Sequence, residues 1–179
     1  MASYLVVIYG APLSGKSSVA WQLARSMPGK AAVVSVDQLL DGSIAQPSND
    51  AMAELEMAHT QLRLLVANYM KNGYHVVVEG PFYHDRGGEL HRFEQDVDQL
   101  VSLMRQMTQK ALLVRLTAGG DVLSARAHDT GRDAELPARI DALYKQRYGS
   151  RALTFDTGVT GIHGIADAIR ERLLAEDAS

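Results

Sequence analysis

Five short and almost wholly apolar runs punctuate the chain, and stretches with helical spacing lie between them. The runs are 4–9 (YLVVIY), 31–36 (AAVVSV), 74–79 (YHVVVE), 111–116 (ALLVRL) and 152–155 (ALTF). Runs this short, rich in branched aliphatics and without the alternation of a half-solvated strand, predict strands buried on both faces. Between them, Met52, Leu55, Ala58, Leu62, Leu65 and Tyr69 form one helical stripe, entered through Ser48-Asn49-Asp50 and stopped by Asn72-Gly73. Leu90, Phe93, Val97, Leu100, Met104 and Met107 predict a further helix, and Ile162, Ile165, Ile169 and Leu173 a last one. Strands alternating with helices predict an α/β protein whose parallel sheet is covered on both faces. No repeat, low-complexity segment or linker divides the 179 residues, so one domain is expected over 1–179. The polar stretch 128–139, containing Gly131 and Pro137, is expected to be a lid-sized loop, with the lid covering about 127–139.

The first strand runs into Gly10-Ala11-Pro12-Leu13-Ser14-Gly15-Lys16-Ser17, which fits G-x-x-x-x-G-K-[ST] in the context that pattern requires, after a strand and opening a helix. Backbone N–H groups of such a loop and helix N-terminus face phosphate oxygens, helped by the helix dipole. The glycines are expected to permit close backbone approach. Lys16 is expected to bridge β- and γ-phosphate oxygens, Ser17 to ligate Mg²⁺, and Ser18 to join the nucleotide-binding residues of the loop. No G-x-G-x-x-G follows any strand, which argues against a dinucleotide site.

In open α/β sheets ligands bind beyond the carboxyl ends of the strands. There the second strand meets Asp37 and the third ends in Glu79. One carboxylate is expected to accept the proton of an attacking hydroxyl and the other to orient a Mg²⁺ shell or a substrate group. The alternative for Asp37 is a helix N-cap, since Gln-Leu-Leu follows. Beyond the fourth strand, Arg126 and the lid residue Arg132 are candidates to neutralise charge on a transferring phosphoryl group, with Arg139 less favoured and Arg115 structural. The segment Pro81-Phe82-Tyr83-His84-Asp85-Arg86-Gly87-Gly88 suits an acceptor pocket, with Phe82, His84 and Arg86 as contacts. The remaining histidines, at 59, 75, 91, 128 and 163, have no metal-ligand spacing. The turn Asp156-Thr157-Gly158 is expected beside the phosphate loop, where a base could rest against backbone.

Composition narrows the partners. A net charge of -3 argues against long nucleic acids and anionic membranes. No apolar run is long enough to span a bilayer, and no basic segment precedes the first one. The absence of cysteine fits a reducing, cytoplasmic location.

On these residues the chain resembles the small P-loop kinases, and within them the group of chloramphenicol phosphotransferase, zeta-toxin-like kinases and polynucleotide kinase-like domains. The resemblance rests on Gly10–Ser17, Asp37 after the second strand, "VVVEGPF" at the third, Arg126 and Arg132 around a short lid, and the "FDT" turn before the last helix. It implies a three-layer P-loop NTPase fold with a five-stranded parallel sheet in order 2-3-1-4-5. It also implies ATP with Mg²⁺, GTP being the alternative nucleotide, and assigns Asp37 as the base toward an acceptor hydroxyl. Two departures stand out: Leu13 where many members have glycine, and Glu79 where several have aspartate. The expected activity is ATP-dependent phosphorylation of a small molecule, such as an antibiotic, a metabolite or a nucleotide. The rivals are a regulatory NTPase without a small acceptor and a nucleoside monophosphate kinase, which would draw on Arg63, Arg86 and Arg92 to grip the acceptor phosphate.

Overall fold

Tyr4, Val6 and Ile8 join one apolar cluster, while Leu5, Val7 and Tyr9 join another on the opposite side of the same strand. This double burial is what the unbroken apolar runs imply. The computed structural model describes residues 3–40, 42, 44, 46, 50–80, 82–86, 89–92, 98, 100, 102, 106, 110–131, 133, 135–148 and 152–175. Its main sheet is formed by β1 (Leu5–Gly10), β2 (Ala31–Ser35), β3 (His75–Glu79), β6 (Ala111–Thr117) and β7 (Leu153–Asp156). All four pairings are parallel and the spatial order is β2-β3-β1-β6-β7, which is 2-3-1-4-5 when only these strands are counted.

Helices α1 (Lys16–Ser26) and α6 (Ile162–Ala175) cover one face, through Val19, Ala20 and Leu23 and through Ile165, Ala166, Ile169 and Leu173. The other face is covered by α2 (Val36–Leu40), α3 (Ala51–Lys71), α4 (Gly120–Thr130) and α5 (Glu135–Tyr148). The predicted entry and exit of α3 hold: Asp50 Oδ1 accepts the N–H of Ala53, and Asn72 is the C-cap. Because all five strands are parallel, the segments that follow them gather along one edge, and this edge receives the phosphate-loop motif, Asp37, Glu79 and the Asp156-Thr157 turn.

Three expectations change. The helix expected from Leu90 does not begin there, because β5 (Glu89–Arg92) pairs antiparallel with β4 (Tyr83–Arg86) in a separate hairpin. The register runs from Tyr83↔Arg92 to Arg86↔Glu89, so strand pairing overrides the 3–4 spacing at Leu90. Farther along, Asp98, Leu100, Ser102 and Gln106 are helical and Leu100 is buried, whereas Phe93, Val97, Met104 and Met107 lie outside the described residues. The polar stretch 128–139 is mainly helix rather than loop: α4 runs to Thr130, ends on Gly131 in the left-handed region (φ 66), and α5 begins at Glu135. Pro137 falls in the first turn of α5, where a missing N–H costs no intrahelical bond. Finally, β2 stops at Ser35, so Asp37 sits on α2 rather than at the strand's end.

Arg115 is structural, as expected. It is buried on β6 and its Nη2 donates to Asp141 Oδ1 at 2.9 Å and to the Asp141 carbonyl at 3.2 Å, while Thr117 Oγ1 donates to Asp141 Oδ2 at 3.0 Å. This carboxylate pins α5 to the sheet. Asp141→Ala would leave a guanidinium buried without its counter-ion, and the expected cost is about 3 kcal/mol, read as a lower urea midpoint at unchanged slope.

Candidate phosphate-loop site

The loop after β1 turns back on itself, and the Ala11 carbonyl receives both the Ser14 N–H at 3.2 Å and Lys16 Nζ at 2.9 Å. Lys16 is only 7% exposed, so its ammonium lies folded over the loop rather than out in solvent. Gly15 caps α1 in the left-handed region (φ 86), no side chain caps that helix, and its first turn holds no acidic residue. The first N–H groups of a helix have no intrahelical acceptor, and here the sequence places two exposed hydroxyls, Ser17 and Ser18, beside them. Such an end suits an anion.

Gly10 permits a close backbone approach within the protein itself. A Cβ there would lie 2.2 Å from the Leu116 carbonyl oxygen and 2.7 Å from Ser14 Oγ, so the glycine lets β1 run close to β6. Leu13 has φ 66 and is the single non-glycine residue with positive φ among the described residues. For an L-residue this conformation costs about 1–2 kcal/mol, which gives physical meaning to a leucine standing where glycine would be free.

Glu79 closes β3 opposite Ile8 of β1 and Ser35 of β2. Strand alternation puts it on the face of Val77 and Ile8, the face that α1 covers. It is 2% exposed, and its Oε2 has no hydrogen-bond partner among the described residues. A buried carboxylate oxygen left unsatisfied on the side of the phosphate loop is what a cation or its water shell would complete. Among the described residues no cluster of three His, Cys, Asp or Glu could hold a metal alone. The donor set of one serine hydroxyl and one carboxylate fits Mg²⁺ held jointly with phosphate oxygens, the usual arrangement for that ion.

Asp37 is partly buried in the first turn of α2. The cap of that helix is Ser35, whose Oγ accepts the Gln38 N–H at 3.4 Å. Asp37 is therefore not the N-cap, and among the described residues no hydrogen bond or ion pair engages it. Its helix is seated by Gly80: a Cβ on Gly80 would come within 2.6 Å of Val36 Cβ. Gly80→Ala is expected to push α2 off the sheet edge, costing about 1–3 kcal/mol in urea unfolding. It should also reduce any activity that depends on Asp37.

Arg126 reaches the site from α4. Its Nη1 donates to the Leu13 carbonyl at 2.9 Å and to Thr157 Oγ1 at 3.0 Å, and its Nη2 donates to the Thr157 carbonyl at 3.1 Å. The Asp156-Thr157 turn does lie beside the loop, since a Cβ on Gly15 would contact Thr157 Cγ2 at 3.8 Å. Asp156 Oδ1 accepts the Gly158 N–H at 2.7 Å and so shapes that turn. Phe82 is buried rather than open to an acceptor. Its ring centroid lies 6.2 Å from that of buried His59, and its N–H donates to the Tyr144 hydroxyl at 2.7 Å. His84 and Arg86 fall on β4. Arg132 lies outside the described residues. Sequence reasoning missed Ser35, Gly80 and Tyr144, whose roles depend on contacts between distant segments.

A five-stranded parallel sheet in this order, with a G-x-x-x-x-G-K-S loop between its central strand and α1, defines a P-loop nucleotide-binding fold of the kinase-like kind. The chain belongs to an AAA-domain family, AAA_33, whose match spans residues 5–151. No curated protein matches the sequence. Solved structures similar in fold include the tunicamycin resistance protein of Deinococcus radiodurans (16% identity, TM-score 0.66, covering 95% of each chain). The APS kinase of Mycobacterium tuberculosis in complex with AMPPNP and APS is similar at 17% identity and TM-score 0.62, over 97% of this chain and 98% of that one. The shikimate kinase of Acinetobacter baumannii in complex with shikimate is similar at 15% identity and TM-score 0.63, over 99% and 96%. Among the described residues no helix is long and apolar enough to cross a membrane.

Proposed function

We propose that the chain is a kinase that moves the γ-phosphoryl group of ATP·Mg²⁺ to a hydroxyl of a small molecule, in the manner of the chloramphenicol phosphotransferase-like group. The observation that carries this reading is the placement of Asp37. It lies on the same sheet edge as the phosphate loop, and its capping duty is taken by Ser35.

In this reading the N–H groups at the start of α1 and the Lys16 ammonium hold the β- and γ-phosphates. Lys16 exchanges the Ala11 carbonyl for phosphate oxygens, and the carbonyl keeps the Ser14 N–H. Ser17 and Glu79 would hold Mg²⁺, which would neutralise phosphate charge when bound. Asp37 accepts the proton of the acceptor hydroxyl as its oxygen bonds to the γ-phosphorus. The bond from that phosphorus to the β–γ bridging oxygen breaks, and ADP leaves. Cationic help from the arm between α4 and α5 falls to Arg132, because Arg126 is already engaged. Asp156 and Thr157 flank the base.

Arg63 lies about 18 Å along α3 from the helix start at the site edge and donates to Thr60 Oγ1 at 3.1 Å, so a grip on an acceptor phosphate would fall to Arg86 on β4 and Arg92 on β5. Similar folds hold acceptors as different as APS and shikimate, which supports kinase chemistry without choosing among them. The test is ADP release from ATP·Mg²⁺ across a panel of hydroxyl compounds: antibiotics, sugars, nucleosides and nucleotides. Stimulation by at least one acceptor is expected. Release that no acceptor alters would favour a regulatory nucleotide-binding module.

A further inference from the structure

The guanidinium of Arg126 joins three parts of the chain that are distant in sequence. Nη1 reaches the Leu13 carbonyl in the phosphate loop, and Nη1 and Nη2 together hold Thr157 after β7. Thr157 is itself bound to the exit of β6, its N–H donating to the Thr117 carbonyl at 2.8 Å and its Oγ1 to the same oxygen at 3.2 Å. The loop end of this strap is Leu13, the residue whose left-handed backbone an L-side chain resists. A leucine released from that bond would relax toward negative φ, and the loop would lose the curvature that aims its N–H groups inward.

We infer that Arg126 is a positioning residue which holds Leu13, and with it the phosphate loop, in the shape that accepts a nucleotide. A guanidinium already bonded to two carbonyls and a hydroxyl does not need to touch the phosphates to affect them. The planar fork matters more than the charge, because one lysine ammonium cannot span the Leu13 and Thr157 carbonyls with the same geometry. The strap also couples the two ends of the nucleotide site, since loosening the Thr157 turn frees the carbonyl bond at the loop. This inference rests on the nucleotide-site reading above and goes beyond it by assigning what sets the loop's shape.

The experiment is a mutant cycle on the full chain, read by calorimetric titration with ADP·Mg²⁺ and AMPPNP·Mg²⁺. Arg126→Ala is expected to weaken binding about tenfold, the effect of freeing one left-handed residue. Arg126→Lys should weaken it about as much, despite keeping the charge. In a Leu13→Gly background, where the loop adopts that backbone without resistance, Arg126→Ala should cost no more than about threefold. An equal loss in both backgrounds, or an Arg126→Lys protein that binds like the parent, would overturn the inference and place the charge on the phosphates. The same cycle read as urea midpoints, without nucleotide, must show a coupling of opposite sign between positions 13 and 126, Arg126→Ala costing more in the Leu13→Gly background because no strain is released there, and additive midpoints would also overturn it. A parent chain that binds nucleotide but phosphorylates no acceptor would sink the kinase reading alone. One that binds no nucleotide would sink the site reading and leave the urea cycle to decide the strap.

Discussion

Asp37→Asn is expected to lower acceptor-dependent turnover by about 10²–10⁴-fold, with the loss in kcat rather than in nucleotide affinity. Asparagine matches aspartate in size but cannot take up a proton at neutral pH. Nothing structural is lost with it, because the Gln38 N–H is held by Ser35 and the helix is seated against Gly80 through Val36. The urea midpoint should therefore stay within about 0.5 kcal/mol of the parent's. A base on this short helix is also sensitive to small displacements, which links it to Gly80→Ala: that variant should lose rate while keeping its carboxylate. Stopped-flow or coupled ADP assays under saturating ATP would separate the two.

Lys16→Ala is expected to weaken ATP binding by about 10–100-fold, the range of one or two charge-assisted hydrogen bonds. AMP, which lacks the β- and γ-phosphates, should lose much less, and titration of both nucleotides measures the difference. The free protein should remain folded. Lys16 Nζ bonds to the Ala11 carbonyl, but that oxygen also receives the Ser14 N–H, so removing the ammonium leaves no orphaned acceptor.

Much of this architecture is legible in the sequence because the central strands β1 and β3 are buried on both sides, although the edge strand β7, expected to be buried too, leaves Leu153 and Thr154 exposed. Unbroken apolar runs such as 4–9 are not solvated strands, and the stretches between the runs are long enough for the crossovers that parallel pairing requires. The phosphate loop is legible because its spacing is set by chemistry at each position. Other features resist reading for definite physical reasons. The helix α2 has five residues, too few to show a period, so Asp37 reads as the end of a strand and Ser35 goes unnoticed as its cap. The pairing of 83–86 with 89–92 is hidden because Leu90 also fits the 3–4 spacing of the segment that follows it. The use of Gly10 and Gly80 is invisible because each is set by a neighbour from another segment, Leu116 in one case and Val36 in the other. Tyr144 looks like any aromatic of an amphipathic helix, and its hydroxyl receives the N–H of Phe82, 62 residues away. Leu13 lies between these cases: its departure from glycine can be read, but its partner Arg126, 113 residues away, cannot.

The most direct test follows the phosphorus atom itself. With ATP labelled in the γ-phosphoryl group, Mg²⁺ and the acceptor panel, the label is expected to appear on the hydroxyl oxygen of at least one acceptor with the parent chain and to fall at least a hundredfold with Asp37→Asn (the low end of about 10²–10⁴). Label recovered only as inorganic phosphate, or carried to an acceptor equally well by Asp37→Asn, would contradict the account.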